Sequence, residues 1–361
     1  MKPDSAIAEK RVAVVIPAFR AEAHITEVLA NVPHFVAWIV VVDDASPDNT
    51  AAVVADAARR DPRIRLLQHD VNQGVGGAVL TGYHEAYRLG ADIVVKMDSD
   101  GQMDPRCLPA LIDPIVRGQA DYTKGNRYVH ARQLRSMPLL RRMGNLGLSL
   151  LTKLASGYWN LFDPTNGYTA IHAALIPLLN EDAIARRYFF ESSMLLELSL
   201  LRAVTRDVYI PAKYGDETSH LSEFSALLEF PGPLLRGFLR RLWIQYLVRD
   251  FGITSVFMIG GTLLLLFGLI FGGWHWMLAV RSLAPTPTGT VMLALLPVIL
   301  GVQLLLQAVA GDVQNTPTVP LHIAAFSPDA YWQTTMDSSV STPREESADD
   351  EILSRPKKQA A

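Results

Sequence analysis

The chain has a single cysteine, Cys107, among its 361 residues. One thiol excludes an internal disulfide framework and any zinc site built from several cysteines. The chain also lacks an excess of basic residues, because its formal net charge is −3, so we expect no nucleic acid among its partners. The N-terminal segment has no apolar run typical of a secretory signal, and we therefore expect the first domain to be cytoplasmic.

Charge is absent from two long stretches near the C-terminus. No Asp, Glu, Lys or Arg occurs between Asp250 and Arg281, or between Arg281 and Asp312. The most apolar segments are 253–273 and 290–310. Each can cross a bilayer, which takes about 20 apolar residues, whereas two buried core helices would fit such uncharged segments poorly. We expect an integral membrane protein, with Gln303 and Gln307 hydrogen-bonding to the other span.

An arginine-rich segment precedes these stretches. Residues 234–248 put apolar side chains on one helical face, namely Leu235, Phe238, Leu239, Leu242 and Tyr246. The arginines among and after them are Arg236, Arg240, Arg241 and Arg249. We interpret the segment as a helix lying on anionic membrane lipids, although packing against the main domain would give a similar pattern. Since the hairpin loop 274–287 carries only Arg281, the positive-inside rule predicts that the main domain and the C-terminus are cytoplasmic.

The first 126 residues alternate between short β-branched runs and stretches with helical spacing. The predicted strands are 12–16, 38–42, 64–68, 93–96 and 121–124. The predicted helices are 22–31, 48–60, 74–89 and 105–117, followed by 139–156 and a helix that begins near Glu191. A further strand is predicted at 208–212. The alternation predicts an α/β domain with a mainly parallel sheet, in which ligands bind at the carboxyl ends of the strands.

Carboxylates follow two of the predicted strands. Asp98 and Asp100 lie two residues apart directly after an apolar run, so an extended backbone puts both on one face. Two hard oxygen ligands at this position suit Mg²⁺ or Mn²⁺, although such pairs also occur by chance in turns. Asp43 and Asp44 end another strand, where a carboxylate could bind the base or ribose of a nucleotide. Residues 46–50 after them are typical of a turn that caps a helix.

The glycine-rich run 72–78, NQGVGGA, precedes a predicted helix. Such a run can bind phosphate through free N–H groups at the helix start. It equally permits close packing of the helix on a strand. Because the run has neither the Walker spacing nor GxGxxG, we favour packing.

Four motifs in order, VVIPAF, VVVDDASPDNT, NQGVGGAVLTG and MDSDGQMDP, resemble those of glycosyltransferase family 2. Within it the chain is most similar to polyprenyl-phosphate glycosyltransferases of the dolichol-phosphate mannose synthase type. The resemblance covers residues 11–222 and implies a GT-A (nucleotide-diphospho-sugar transferase) Rossmann-like domain. It implies an inverting enzyme that uses Mg²⁺ or Mn²⁺, a GDP- or UDP-sugar donor, and an undecaprenyl or dolichyl phosphate acceptor.

The resemblance also implies roles for individual residues. The positions expected beside the base and ribose are Pro17, Phe19, Val42 and Asp44. Those expected to hold the metal are Asp98, Asp100 and Gln102. Those expected to meet donor or acceptor phosphates are Arg127, Arg142 or its neighbour Arg141, Lys213 and His220, of which Arg127 and Lys213 act with Asp100 in catalysis. Residues 163–168 resemble an acceptor-side D-x-T-x-G segment, and the roles of Glu22 and Glu191 are open.

We predict four segments along the chain. They are a cytoplasmic GT-A catalytic domain at 1–226, an amphipathic juxtamembrane helix at 227–250, two transmembrane helices at 251–311, and a largely disordered cytoplasmic tail at 312–361. Two spans are few for a stable bundle, so a homo-oligomer would be consistent with the sequence. One alternative is a glycosyltransferase acting on a hydroxyl of a polysaccharide or glycolipid, although the Q-x-x-R-W motif of processive synthases is absent. Another is a non-catalytic, membrane-bound nucleotide-sugar binder.

Overall fold

The computed structural model describes residues 5–127, 139–164, 166–211 and 230–326. Its N-terminal domain contains a seven-stranded sheet with the spatial order β3-β2-β1-β4-β6-β5-β7. The strands are β1 (Val12–Ala18), β2 (Val36–Asp43), β3 (Ile64–Gln68), β4 (Ile93–Lys96), β5 (Tyr122–Asn126), β6 (Thr169–His172) and β7 (Thr205–Tyr209). All neighbouring strands are parallel except β6, which runs antiparallel to β4 and β5. The predicted α/β class with a mainly parallel sheet is confirmed.

Helices cover both faces of this sheet, as a parallel sheet requires. They are α1 (Ser5–Ala8), α2 (Ile25–Asn31), α3 (Thr50–Arg60), α4 (Val75–Arg88), α5 (Leu108–Val116), α6 (Leu139–Ser156) and α7 (Phe190–Leu201). Short 3₁₀ turns lie at Pro105–Cys107, Ala173–Leu178 and Glu181–Ala183. Alternate residues of β1 enter different cores: Val14 packs in the core beneath α2, α3 and α5, and Val15 packs in the core beneath α4 and α7.

Most predicted boundaries shift by one to three residues, and two shifts have clear causes. The strand predicted at 208–212 is β7, which begins at Thr205 because its ladder with β5 pairs Tyr122 with Thr205. The helix predicted from residue 22 begins at Ile25, since the N–H of Ala21 donates to Thr50 Oγ1 (2.9 Å) and the following residues form a turn. The carboxyl ends of β1, β2, β4 and β5 nevertheless meet at one edge, as the alternation predicts.

The C-terminal part of the described chain is helical. Its elements are α8 (Pro231–Leu242), a π-helical continuation at Trp243–Arg249, α9 (Ile253–Ser282), α10 (Thr288–Gln314) and α11 (Leu321–Phe326). The α9 and α10 helices contain 30 and 27 residues and pack against each other along their length. Each contains a stretch with a mean hydropathy of 2.3, long and apolar enough to cross a membrane. Because α9 runs to Ser282, the hairpin loop is 283–287 rather than 274–287.

Glycines allow α9 and α10 to approach closely. A Cβ added at Gly261 would lie 3.0 Å from the carbonyl oxygen of Gly301, and one at Gly301 would lie 2.6 Å from the backbone N of Leu265. The predicted contact of Gln303 and Gln307 with the other helix is wrong, because both side chains are exposed. Gly301 and Ala308 line the buried face of α10 instead.

The apolar face predicted for 234–248 is divided between the protein and the exterior. Leu234 and Tyr246 are buried, the latter with its hydroxyl donating to Asp312. Leu235, Leu239 and Trp243 form an exposed stripe four residues apart. The alternative of packing is confirmed along one side of the helix, and contact of its exposed apolar side with lipid stays a prediction.

Three of the four arginines interpreted as lipid-binding are engaged within the protein. Arg241 is 2% exposed and forms a bidentate ion pair with Asp312, with N–O distances of 2.7 and 3.0 Å. Arg240 pairs with Glu197 of α7, and Arg249 donates to the carbonyl oxygen of Leu200 (2.7 Å). Arg241 cannot reach lipid headgroups, so the predicted role is wrong for this residue.

The chain returns to the α/β domain after α10. The buried carboxylate of Asp121 accepts hydrogen bonds from the backbone N–H groups of Leu321 (2.8 Å) and His322 (3.0 Å). His322 Nδ1 also donates to Asp121 Oδ1 (2.7 Å), and the ring stacks on His172 with a centroid distance of 4.2 Å. Residues 312–326, predicted as the start of a disordered tail, are therefore folded, and 327–361 lie outside the described residues.

Candidate active site

The carboxylate pair Asp98 and Asp100 lies on a tight turn at the carboxyl end of β4. Gly101 adopts a φ of 74°, which favours glycine, and lets the chain reverse at this point. Asp100 Oδ1 accepts a hydrogen bond from the N–H of Gln102 (2.9 Å). Both carboxylates are half-buried and Gln102 is exposed. The turn therefore presents two carboxylates and an amide to the sheet edge.

A buried lysine that we did not single out from the sequence lies directly behind this turn. Lys96 Nζ donates to Asp98 Oδ1 (2.8 Å) and to Glu191 Oε1 (3.0 Å). Burial alone lowers the pKa of Lys96, but the two carboxylates more than offset this effect and hold its pKa above the ordinary value. Lys96 is thus an ammonium that fixes one oxygen of Asp98, and Glu191 is its second counter-ion.

The segment 163–168 meets the same turn from the other side. Asp163 is fully buried and binds Arg127 through Nε (2.8 Å) and an Nη atom (3.1 Å). A Cβ at Gly167 would lie 2.5 Å from Lys96 Nζ and 2.7 Å from Asp98 Oδ2, so only glycine fits there without displacement. The predicted metal turn and the predicted acceptor segment are therefore in contact.

Two buried ionisable groups support this junction. Lys124 donates to the carbonyl oxygen of Asn166, and burial lowers its pKa to about 8. Asp207 accepts hydrogen bonds from Asn126 Nδ2 and from the N–H of Phe162, both at 2.8 Å. Burial raises the pKa of Asp207 to about 6. These contacts link β5 and β7 to the segment that carries Asp163.

The residues predicted beside a nucleotide base lie at the ends of β1 and β2. Phe19 directly follows β1 and is 45% exposed, with the Arg20 guanidinium 5.3 Å from its ring centroid. Pro17 is buried within β1, and the Val42 side chain is buried in the core under α4. Only the backbone of Val42 could therefore contact a ligand. Phe19 offers a ring surface and Pro17 contributes to the rigid strand beneath it.

Asp44, predicted to lie beside the base and ribose, is held by hydrogen bonds from other parts of the protein. Its Oδ1 accepts hydrogen bonds from the N–H of Gln73 (2.8 Å) and from His69 Nδ1 (2.7 Å). Its Oδ2 accepts from the N–H of Gly74 (2.7 Å). Because a carboxylate has about four acceptor positions, protein groups take up most of this one. Asp44 anchors the loop before α4.

Asp43 is the neighbouring carboxylate at the end of β2. It is 3% exposed, and its Oδ1 has no hydrogen-bond partner among the described residues. A buried carboxylate oxygen without a partner is costly, so such groups normally await a ligand or an ion. Asp43 therefore has the open acceptor that the sequence interpretation gave to Asp44.

The glycine-rich run packs against the protein as favoured, although its neighbours are the segment 185–187 and Phe190 rather than a strand. The N–H groups of Gly76 and Gly77 both donate to the carbonyl oxygen of Arg186, at 2.8 and 3.4 Å. The N–H of Gly74 is used by Asp44, as described above. The start of α4 therefore has its first N–H groups occupied by protein acceptors.

Some predicted site residues lie outside the described part of the chain. Lys213 and His220 fall in 212–229, and the side chain of Arg142, on the first turns of α6, is also outside it. Glu22 has a structural contact, since its carboxylate accepts from the backbone N and Nδ2 of Asn49, both at 3.1 Å. It ties the turn after β1 to the turn after β2.

The donor set suits a divalent cation that also binds a ligand. No cluster of three or more His, Cys, Asp or Glu side chains able to hold a metal occurs within the described ranges. Asp98, Asp100 and Glu191 carry three negative charges against the single positive charge of Lys96, which leaves two negative charges at the turn. Two carboxylates with the Gln102 amide oxygen make a partial shell of hard ligands, which substrate phosphate oxygens commonly complete.

Comparisons with known proteins give a family and several similar proteins. Residues 13–177 match the profile of the family described as Glycosyl transferase family 2. The chain is 34% identical to a UDP-N-acetylglucosamine–dolichyl-phosphate N-acetylglucosaminyltransferase of Methanococcus voltae, over 50% of this chain and 77% of that protein. It is 32% identical to an undecaprenyl-phosphate mannosyltransferase of Micrococcus luteus, over 52% of this chain and 75% of that protein. The solved structure of glucosyl-3-phosphoglycerate synthase from Mycobacterium tuberculosis matches 66% of this chain and 82% of its own, with 22% identity and a TM-score of 0.49.

Proposed function

The chain belongs to glycosyl transferase family 2 and is a glycosyltransferase with a GT-A-like Rossmann sheet, and from this premise we propose its substrates and mechanism. It transfers a sugar from a nucleoside diphosphate sugar to a polyprenyl phosphate at the cytoplasmic face of a membrane. The reaction uses a divalent cation, Mg²⁺ or Mn²⁺, and inverts the configuration at the sugar carbon.

The acceptor assignment depends on one observation. The two relatives described above differ in the sugar that their names give, N-acetylglucosamine or mannose, but both names specify a polyprenyl phosphate. The α9 and α10 helices of this chain could hold the α/β domain beside such a lipid, because both are long and apolar enough to cross a bilayer. The sugar and the nucleotide base of the donor are therefore left unassigned, and the proposed acceptor is a polyprenyl phosphate.

The turn that carries Asp98 and Asp100, together with its neighbours, would bind the donor diphosphate. Asp98, Asp100 and Gln102 would hold the cation, which when bound neutralises charge on the leaving diphosphate. Lys96 and Gly167 fix the position of Asp98. The Arg127 guanidinium is oriented by its two hydrogen bonds to Asp163 and would contribute positive charge beside the donor phosphates. We keep Arg142, Lys213 and His220 as further partners of the donor or acceptor phosphates.

The base and ribose are assigned to the edge formed by β1 and β2. Phe19 would lie against the base, and the backbone at Pro17 and Val42 would read its edge. Asp43 replaces Asp44 as the carboxylate that accepts from the base or the ribose hydroxyls. This reassignment rests on the open Oδ1 of Asp43 and on the three hydrogen bonds that occupy Asp44.

The chemistry requires no general base from the protein. A phosphate monoester has a second pKa near 6, so the lipid phosphate arrives largely ionised and is itself the nucleophile. Its oxygen forms the new bond to the anomeric carbon while the bond from that carbon to the diphosphate oxygen breaks. The nucleoside diphosphate leaves with that electron pair, through an oxocarbenium-like state. A hydroxyl acceptor would need a base to remove its proton.

An acceptor and donor screen tests this function. The full chain in lipid nanodiscs, with Mn²⁺ or Mg²⁺, is incubated with a panel of nucleotide sugars and with undecaprenyl or dolichyl phosphate. We expect a sugar-labelled product that extracts into organic solvent. A product on a polysaccharide or glycolipid hydroxyl would overturn the acceptor assignment, and donor binding without turnover would indicate a non-catalytic binder.

A matched pair of variants tests the metal assignment. Asp100→Asn removes one anionic ligand, and we expect turnover to fall about 100-fold or more. Asp113→Asn makes the same change in an exposed ion pair with Arg117 on α5, and should retain full activity. Chelation of divalent ions should abolish turnover of the wild type. Full activity of Asp100→Asn, or of the chelated wild type, would overturn the metal role.

A further inference from the structure

Gln303 is one of two exposed glutamines, with Gln307, on the largely apolar helix α10. The buried face of α10, toward α9, includes Gly301 and Ala308. Gln303 comes two residues after Gly301, about 200° around the helix, and so points away from α9. It makes no side-chain hydrogen bond within the described residues, although the glutamine amide has two donors and an acceptor.

The position of Gln303 along α10 makes this exposure significant. Asp312 marks the end of α10 nearest the α/β domain, because it accepts hydrogen bonds from Trp159 Nε1 (3.0 Å) and Arg241. Gln303 lies nine residues before Asp312, which corresponds to about 14 Å of helix. Given a hydrocarbon layer of about 30 Å, Gln303 is then close to its middle. An amide there has no water to bind and needs a protein partner.

The residues around Gln303 form a regular seam on the same face. They follow one another at alternating intervals of four and three: Met292, Leu296, Ile299, Gln303, Leu306 and Ala310. All six are exposed. This is the spacing of the core positions in a left-handed coiled coil, in which a single polar residue can set the register and the number of helices. We call these six residues the Gln303 seam.

We propose that the Gln303 seam is the surface through which two copies of this chain pair in the membrane. Copies of one chain insert with the same orientation, so their α10 helices meet in parallel and each seam position faces its own equivalent. Gln303 then lies opposite Gln303 of the second copy. An amide both donates and accepts, so this pair satisfies itself, whereas an unrelated helix would need a matching group at the same depth.

Cysteine cross-linking tests the geometry of this pairing. It rests on the proposed function only in requiring that α9 and α10 span the membrane. In a Cys107→Ser background, Ile299→Cys lies in the seam and Val298→Cys faces α9, against Gly268. We expect an oxidant to cross-link two copies in membranes through Ile299→Cys and to leave Val298→Cys monomeric. Equal cross-linking of both, or of neither, would overturn the proposal.

Substitution of the amide tests its contribution to pairing. Gln303→Leu should weaken self-association, measured by energy transfer between labelled copies diluted in lipid, about three- to thirtyfold. Gln307→Leu removes the same group one turn away, outside the seam, and should change association less. No loss in Gln303→Leu, or an equal loss in both variants, would contradict the role of Gln303.

A separate measurement distinguishes failure of this proposal from failure of the membrane assignment. Leu283→Cys in the hairpin loop, again in the Cys107→Ser background, should react with an impermeant maleimide only from outside intact cells. If that labelling succeeds and Ile299→Cys does not cross-link, the spans are correct and the pairing is wrong. If labelling occurs from the inside alone, both the membrane assignment and the pairing are wrong.

Discussion

Asp43 and Asp44 are neighbours in the chain whose side chains have different surroundings. Asp44 holds two backbone N–H groups and His69, whereas Asp43 leaves an oxygen open at the end of β2. One carboxylate therefore stabilises the fold, and the other has a buried oxygen without a partner among the described residues. Local sequence cannot separate them, because the groups that occupy Asp44 lie 25 to 30 residues further along the chain.

The same substitution in the two residues should have opposite effects. Asp43→Asn breaks no hydrogen bond of its carboxylate to a described residue, so the Tm should hardly change while the donor KM rises about tenfold, equivalent to about 1.4 kcal/mol. Asp44→Asn places an amide donor against N–H groups and should cost about 2 kcal/mol of stability. Thermal unfolding and donor titration of both variants measure these effects. If Asp44→Asn keeps its Tm and only Asp44→Asn weakens donor binding, the assignment to Asp44 is restored.

Lys96 is a site residue whose role could not be predicted from the sequence, in contrast to Asp98 and Asp100. The motif with Asp98 and Asp100 is local, and its position after an apolar run predicts a ligand site at the sheet edge. Lys96 immediately precedes that motif, and a lysine in a buried strand always needs a partner. Its second partner, Glu191, is 95 residues away, so only the fold identifies the pair.

At the scale of elements, α11 is a short helix held against the α/β domain. Its first residues bind Asp121, and the His322 ring stacks on His172. The groups facing His172 are His322, Asp121, Lys10 and Asp92. Burial, with a further contribution from His322, lowers the pKa of His172 to about 4. His172 is therefore neutral in the folded state, and its Nδ1 accepts from the N–H of Ala174 (3.3 Å).

Acidification should loosen α11. The pKa of an unfolded histidine is about 6.5, so the folded state binds fewer protons between pH 6.5 and 4. The stabilising contribution of neutral His172 is thus complete above pH 6.5 and is lost as the pH falls toward 4. The protection factors of the N–H groups of Leu321 and His322, which correct for the pH dependence of intrinsic exchange, should fall over this range.

His172→Phe keeps a stacking ring without a titrating group and should remove much of this pH dependence. His84→Gln is the control and should behave as the wild type, because His84 lies on α4 and contacts Glu181. Unchanged protection factors in the wild type from pH 7 to pH 4.5 would contradict the assignment of His172.

Helix α8 illustrates that the spacing of apolar residues predicts a helix more reliably than it predicts what each face of the helix contacts. The spacing of apolar residues correctly predicts a helix, but Arg241 and the exposed Leu239 lie only two residues apart and have opposite environments. The partner of Arg241 is Asp312, 71 residues further along. A pattern of apolar residues fixes which faces avoid water, whereas the choice between lipid and protein depends on such distant partners.

At the scale of the whole molecule, Arg241 and Asp312 join three parts of the chain. Arg241 Nε donates to the carbonyl oxygen of Ala155 at the end of α6 (2.9 Å), and its other nitrogens bind Asp312 on α10. Trp159 and Tyr246 also donate to Asp312. The α/β domain, the π-helical segment and the apolar hairpin are therefore fixed relative to one another through one buried carboxylate.

Removal of one partner of the Arg241–Asp312 ion pair should destabilise the protein strongly. Replacement of both partners by apolar residues should destabilise it less. Asp312→Ala leaves the Arg241 guanidinium buried without a counter-ion and should destabilise the protein by about 3–5 kcal/mol. Arg241→Met combined with Asp312→Leu removes both charges and should recover much of that loss. Thermal unfolding in nanodiscs measures both variants. A double variant no more stable than Asp312→Ala would show that the ion pair itself, and not the unpaired charge, sets the stability.

The contact of α11 with Asp121 has a consequence for how the protein is made. Asp121 leaves the ribosome about 200 residues before Leu321 and His322, and meanwhile only the N–H of Val204 can bind it among the groups described here. In the nascent α/β domain, Asp121 therefore lacks the hydrogen bonds from Leu321 and His322 until the hairpin has been synthesised and α11 has returned to the domain. The α/β domain is therefore completed only after both long apolar helices have been synthesised, so its last contacts depend on the hairpin that precedes α11.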